Sequence, residues 1–135
     1  MFIFFIDNIN NYFSKLVYNY LKLKNLFLID GSGFIFRAFY ALPPFKNPEG
    51  TPINAVYGYC NMVLNIYEKF KPEQIIVIFD TKKKTFRNDI YKDYKSNRTE
   101  PPEELIPQFS IIRDATDALQ IPRVEMDGYE ADDII

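Results

Sequence analysis

Residues 74–80 read QIIVIFD, an unbroken apolar run that closes on an aspartate. A strand with one wet face would carry a polar side chain at every second position. This run carries none, so it reads as a strand of a parallel sheet covered on both faces. Residues 26–30, LFLID, repeat the pattern: apolar residues, then Asp30, then the turn-forming GSG. A weaker third strand is expected at 121–126, IPRVEM.

Helical stretches separate these runs. Residues 34–42, FIFRAFYAL, read as a short helix stopped by Pro43 and Pro44. Residues 45–52 have a loop composition. Residues 53–70 carry helical periodicity through Val56, Cys60, Val63, Leu64 and Tyr67, and end at Lys71-Pro72. Residues 101–119 open with helix-start signals, although Pro107 interrupts the opening turns, and Gly128 leads into a last helix at YEADDII. The alternation predicts an α/β three-layer sandwich around a mostly parallel sheet.

In an open α/β sheet, ligands sit beyond the carboxyl ends of the strands. Asp30 and Asp80 lie at such ends, and Glu130, Asp132 and Asp133 follow the third strand at the same edge. Taken singly, each has a structural reading: Asp30 in a side-chain turn, Asp132 or Asp133 against a helix dipole. Five carboxylates at one edge repel one another unless cations neutralise them. The chain contains no histidine and one cysteine, Cys60, which excludes His-based triads, common zinc sites and an intrachain disulfide. Oxygen ligands alone favour Mg²⁺, Mn²⁺ or Ca²⁺. Glu130 and Asp133 share a face at i, i+3 spacing if the helix is regular, and Asp132 joins them only if the helix begins late.

Charge is unevenly placed although the net formal charge is −2. Residues 82–98 hold seven Lys/Arg, including Lys84, Arg87, Lys92, Lys95 and Arg98, against Asp89 and Asp93. Residues 99–135 hold ten Asp/Glu against Arg113 and Arg123. Each block alone reads as a solvated face; side by side they suit a protein that holds a polyanion and also binds cations. Lys92, Lys95 and Arg98 recur every third residue and fall on one face of a helical stretch, with Tyr91 and Tyr94 as stacking surfaces for unpaired bases. Two roles are open to Arg37: binding phosphate, or pairing with a core carboxylate. The apolar start, MFIFFI, is too short for a membrane span and lacks the basic region of a signal peptide. Residues 1–24 read as an extension, with Phe13, Leu16, Val17 and Tyr20 on one helical face.

Four separated motifs, LFLIDGSGFIFRAFYALPP, AVYGYCNMV, IIVIFDTKKKTFRNDIYKDYKSNR and GYEADDII, resemble in content and order the N-terminal 5′ nuclease domains of bacterial DNA polymerases I. Those domains belong to the flap endonuclease family, on a PIN-like fold. The resemblance runs from about Leu26 to Ile135. It implies metal ligation by Asp30, Asp80, Glu130, Asp132 and Asp133, with two Mg²⁺ or Mn²⁺ ions in a complete domain. It implies phosphate contact by the arch residues Lys95 and Arg98, base stacking by Tyr94, and DNA binding by Arg37, Lys84 and Arg87. Residues 81–98 then belong to a helical arch threaded by a single-stranded 5′ end, within a domain portion covering 25–135. The implied partner is DNA with a 5′ flap or free 5′ strand, in the cytoplasm and away from membranes, with a polymerase domain in the intact chain.

The family's further aspartates and its helix–three-turn–helix element are missing from these residues, which leads to the expectation of a first half only, inactive alone. The competing expectations are a DNA-binding or vestigial fragment without catalysis, and another PIN-like nuclease acting on RNA, against which YKSNR argues. An aspartyl phosphotransferase is disfavoured because DGSG lacks an Asp two residues after Asp30.

Overall fold

The computed structural model describes residues 25–81, 85–91, 94 and 99–135, with only the backbone of Asn88 and Asp89. The expected amphipathic stretch in residues 1–24 lies outside the described residues, as do Lys84, Lys92, Lys95 and Arg98.

In order, the elements are β1 (Leu26–Asp30), α1 (Gly31–Ala41), α2 (Asn54–Phe70), β2 (Gln74–Ile78), α3 (Phe86–Ile90), α4 (Gln108–Ala118), β3 (Arg123–Val124) and α5 (Ala131–Ile134). The strands form one parallel sheet in the order β1-β2-β3. The β1–β2 register pairs Leu26 with Gln74 and Asp30 with Ile78, so both strands run out at the same edge. The α/β class and the parallel pairing are those expected from the two apolar runs.

The two sheet faces differ. Phe27, Ile29, Ile75, Val77 and Phe79 are buried in one core with Ile35 and Ala38 of α1, Tyr59 and Val63 of α2, and Ile112 of α4. On the other face Ile78 is buried, while Leu28 and Ile76 are half-buried. Alternation of side chains along each strand produces this split. The hidden apolar residues supply the main drive for folding. Gly58 allows α2 to lie close against α1, since a Cβ there would stand 2.8 Å from the Ala38 Cβ.

Four boundaries depart from the sequence reading. Helix α1 starts at Gly31, three residues early, because Asp30 caps it: its Oδ1 accepts from the Gly33 N–H at 2.9 Å. Helix α4 starts only at Gln108, since Pro107 restricts the backbone before it and residues 103–107 form turns. Strand β3 spans two residues, and the strip at 86–98 shows a helix only over Phe86–Ile90 within the described residues.

A polar network ties the helices together. No side chain of its own caps α2, and Gln108 does so from α4, with Oε1 accepting from the Ala55 and Val56 N–H groups at 2.8 and 3.2 Å. Its Nε2 donates to Asn54 Oδ1 and to the Glu104 carbonyl, each at 2.9 Å, and Asn54 Nδ2 donates to the Phe39 carbonyl at 3.1 Å. Gln108 is fully buried with every side-chain atom partnered, which is the condition for burying an amide without penalty.

Candidate active site

At the carboxyl edge of the sheet, Asp30, Ser32, Gly33, Phe36, Asp80, Glu130, Ala131 and Asp132 line a cleft of about 160 Å³. Asp30 arrives at the end of β1, Asp80 two residues past β2, and Glu130 and Asp132 at the start of α5. Residues a hundred positions apart in sequence share one cleft because parallel strands place successive carboxyl ends side by side.

Asp30 serves the fold and the cleft together. One carboxylate oxygen caps α1 through Gly33 while the side chain lines the cleft. Burial pushes its carboxyl above the ordinary 3.8, and the neighbouring Asp80 and Asp132 charges push it further, while the Gly33 and Ser32 N–H groups pull it back. Asp80 is fixed at several atoms. Its N–H donates to Ser32 Oγ at 3.2 Å, and its Oδ1 accepts from the Ala131 N–H at 2.7 Å.

The acidic turn departs from the sequence reading in one respect. Glu130 is not within the helix: its backbone is extended (φ −94°, ψ 163°) and it forms the N-cap of α5. The i, i+3 spacing of Glu130 and Asp133 therefore makes a reciprocal capping box, with the Glu130 N–H donating to Asp133 Oδ2 at 2.9 Å, and not a shared helical face. Asp133 turns away from the cleft and forms an ion pair with Arg87. Asp132 lines the cleft in its place, because the helix begins late.

The basic residues divide. Arg87 is held by Asp133, with its guanidinium 5.8 Å from the centroid of the Tyr94 ring. The Tyr94 hydroxyl donates to Glu130 Oε2 at 3.2 Å. The Phe86 N–H donates to the Gly128 carbonyl at 2.9 Å, so both ends of this stretch rest on the acidic turn. Arg37 is exposed and makes no ion pair among the described residues. It lies one turn from Gly33 along the α1 edge that borders the cleft. Lys84, Lys95 and Arg98 lie outside the described residues.

The sequence reading missed Ser32 and Arg113. Ser32 sits inside DGSG and looked like turn filler. Arg113 sits on α4 with Nη2 donating to the Asp80 carbonyl at 3.4 Å, a contact no local pattern marks.

The donor set suits a hard divalent ion. Its charged groups are carboxylates only, and burial first, with the Asp80 and Asp132 charges adding to it, disfavours the ionised form of Asp30, which a bound cation would stabilise. As the side chains stand, no three acidic groups among the described residues are drawn together closely enough to hold one ion. Mg²⁺ tolerates this, since it keeps several waters and takes one or two carboxylates.

Comparisons with known proteins bear on the family and the fold. Over the matched region the chain is 54% identical across 122 residues to DNA polymerase I of Rhizobium leguminosarum, covering 84% of this chain and 12% of that protein. It is 42% identical across 113 residues to a 5′-3′ exonuclease of Aquifex aeolicus, covering 84% and 39%. In solved structures it resembles a bacteriophage T5 protein co-crystallised with metal ions, with a TM-score of 0.56 and 26% identity over 82% of this chain and 40% of that one. A complex of the bacteriophage T5 flap endonuclease with DNA and metal ions gives a TM-score of 0.55 at 26% identity, over 82% and 41%. The chain spans less than half of each of these relatives. Residues 25–135 match a single domain family, and the chain belongs to it: the 5′-3′ exonuclease, N-terminal resolvase-like domain.

Proposed function

We propose that this chain supplies part of the metal-dependent active site of a 5′-3′ exonuclease and 5′-flap endonuclease acting on DNA in replication and repair. The observation that carries the reading is the cleft itself, where Asp30 and Asp80 from two strand ends meet Glu130 and Asp132 from the start of α5. The metal ions and DNA bound by the phage flap endonuclease support the same reading.

In this reading Asp30, Asp80 and Asp132 hold Mg²⁺ or Mn²⁺, with Glu130 and Asp133 setting the acidic turn. A divalent ion held there would supply charge to offset that building on the oxygens of a phosphodiester, and these carboxylates would hold and orient it. Lys95 and Arg98 oppose charge building on the phosphate, and Lys84 and Arg37 contact the strand's backbone. Tyr94 borders the cleft through Glu130 and offers its ring to a base at the single-stranded 5′ end. Arg87, taken up by Asp133, ties the start of the strip to the acidic turn. A polymerase domain accompanies the nuclease where the chain is arranged as in the DNA polymerase I relatives, and the work is cytoplasmic. Among the described residues, no helix is long and apolar enough to cross a membrane.

Titration of the chain with Mn²⁺, alongside Asp80→Asn, tests the site. The expected result is weak binding in the parent chain and its loss in the variant. Equal binding by both removes the metal assignment. Incubation with a 5′-flap duplex in Mg²⁺ and in EDTA tests the reaction, and a duplex that is bound but left uncut selects a DNA-binding role instead.

A further inference from the structure

Asp80 stands two residues beyond the end of β2, past the last ladder bond, in which the Phe79 N–H donates to the Val124 carbonyl at 2.9 Å. Its backbone is nevertheless held from both sides. Ser32 of α1 takes its N–H, and Arg113 of α4 donates to its carbonyl.

Arg113 has little freedom. Its Nε and Nη2 donate to the two carboxylate oxygens of Glu125 at 2.8 and 3.3 Å, and Nη1 donates to the Phe109 carbonyl at 3.1 Å. Its guanidinium lies 4.8 Å from the centroid of the buried Phe79 ring. Glu125 is itself held by Arg123, which also pairs with Asp117. A planar fork with its donors committed in this way fixes whatever it touches, and a lysine cannot reproduce it.

We propose that Arg113 is a positioning residue for Asp80. It anchors the Asp80–Thr81 peptide to α4 and to the end of β3, as Ser32 anchors the Phe79–Asp80 peptide to α1, and so sets where the Asp80 carboxylate meets the cleft. The inference rests on the reading of Asp80 as a metal-site carboxylate. Four of the five guanidinium N–H donors of Arg113 are committed in this way, which suits positioning.

The Ala131 N–H reports on Asp80 directly, since it donates to Asp80 Oδ1 at 2.7 Å. Amide hydrogen exchange and Mn²⁺ titration are measured on the parent chain, Arg113→Met, Arg113→Lys and Glu125→Gln. The expected result in Arg113→Met is exchange at Ala131 about tenfold faster, the loss of a charge-assisted tie, and weaker Mn²⁺ binding. The Ile29 and Val77 amides stay as protected as before. Arg113→Lys and Glu125→Gln shift Ala131 the same way by less, and they carry the test if the methionine variant does not fold. Unchanged Ala131 exchange in the folded variants overturns the proposal. If Ala131 responds but the parent chain binds no Mn²⁺, the positioning role stands and the metal reading falls. If the parent binds Mn²⁺ while both readouts ignore Arg113, the positioning role falls alone.

Discussion

The two glycines of DGSG are expected to respond to the same change in opposite ways. A Cβ added at Gly31 would stand 2.4 and 2.5 Å from Phe79 Cε1 and Cδ1 and 2.8 Å from Val77 Cγ1. Carbon atoms rest at about 3.5–4.0 Å, so the ring must retreat by about 1 Å. It has nowhere to go. Phe79 is 1% exposed, with the Tyr59 ring centroid 6.3 Å away on one side and Arg113 at 4.8 Å on another. Overpacking of this kind costs about 1–3 kcal/mol, while alanine in place of glycine in a helix returns about 0.5–1 kcal/mol. The net expectation for Gly31→Ala is a loss of about 1–2 kcal/mol.

At Gly33 the added carbon meets only the Asp30 carboxylate, with Oδ2 at 2.6 Å. That group is the free end of a side chain and can rotate away. Loss of the cap costs about 0.5–2 kcal/mol and the helix gain offsets much of it, so stability changes little. The cleft, however, loses its Asp30 geometry. Urea unfolding with Mn²⁺ titration separates the two: Gly31→Ala lowers the midpoint, and Gly33→Ala keeps the midpoint but weakens the metal. A Gly31→Ala midpoint at or above that of the parent would falsify the claim that the Phe79 ring has no room to retreat.

Other expectations follow from buried hydrogen bonds and charges. The Thr116 hydroxyl donates to the Ile112 carbonyl at 2.8 Å, so the Tyr59 hydroxyl, 2.8 Å away, is the donor between them. Thr116→Val then orphans a buried phenol and costs about 1–3 kcal/mol, whereas Tyr59→Phe costs about 1 kcal/mol; chemical denaturation of both variants checks the order. Gln108→Met leaves the Ala55 and Val56 N–H groups and Asn54 Oδ1 without their partner, at about 3 kcal/mol or more, and a denaturation midpoint near that of the parent would count against the trans cap. For Asp30, the folded state holds the proton more tightly than the unfolded state does. Its contribution to stability is therefore fully present below 3.8 and lost as pH rises through the folded-state value. Asp30→Asn keeps a cap and removes the repulsion, so in EDTA at neutral pH it should melt higher than the parent, with the gap closing in acid; a lower melting point in that variant refutes the electrostatic account.

The first two strands and their terminal aspartates were legible because each is a short apolar run without alternation, too short for a helix. Helix α2 was legible from periodicity over many residues. Helix α1 was not, because the signals for a turn and for an N-cap use the same residues: Asp30, Ser32 and Gly33 satisfy both, and only the path of the following backbone decides. Ser32, Arg113 and Gln108 were illegible for another reason. Their partners lie 48, 33 and 53 residues away, and a single sequence records no such distances.

The acidic turn shows how correct chemistry and incorrect geometry arise from the same letters. EADD places four residues where either a regular helix or a capped helix start fits the spacing. Under the first, Glu130 and Asp133 point together and Asp132 points away. Under the second, which the structure adopts, Glu130 and Asp133 satisfy each other's backbone and Asp132 is left facing Asp30 and Asp80 across the cleft. The capped form is favoured because it answers two orphan helix-end N–H groups at once. Arg87 then neutralises the carboxylate that capping turns away. The division of labour assigns structure to the outer pair and metal chemistry to the inner residue. Asp132→Asn should therefore weaken Mn²⁺ binding with little change in melting temperature. Asp133→Ala should first lower the melting temperature, because it removes a cap and an ion pair together. The reverse ranking, with Asp133→Ala silent in melting and Asp132→Asn silent in binding, would return the turn to the regular-helix geometry.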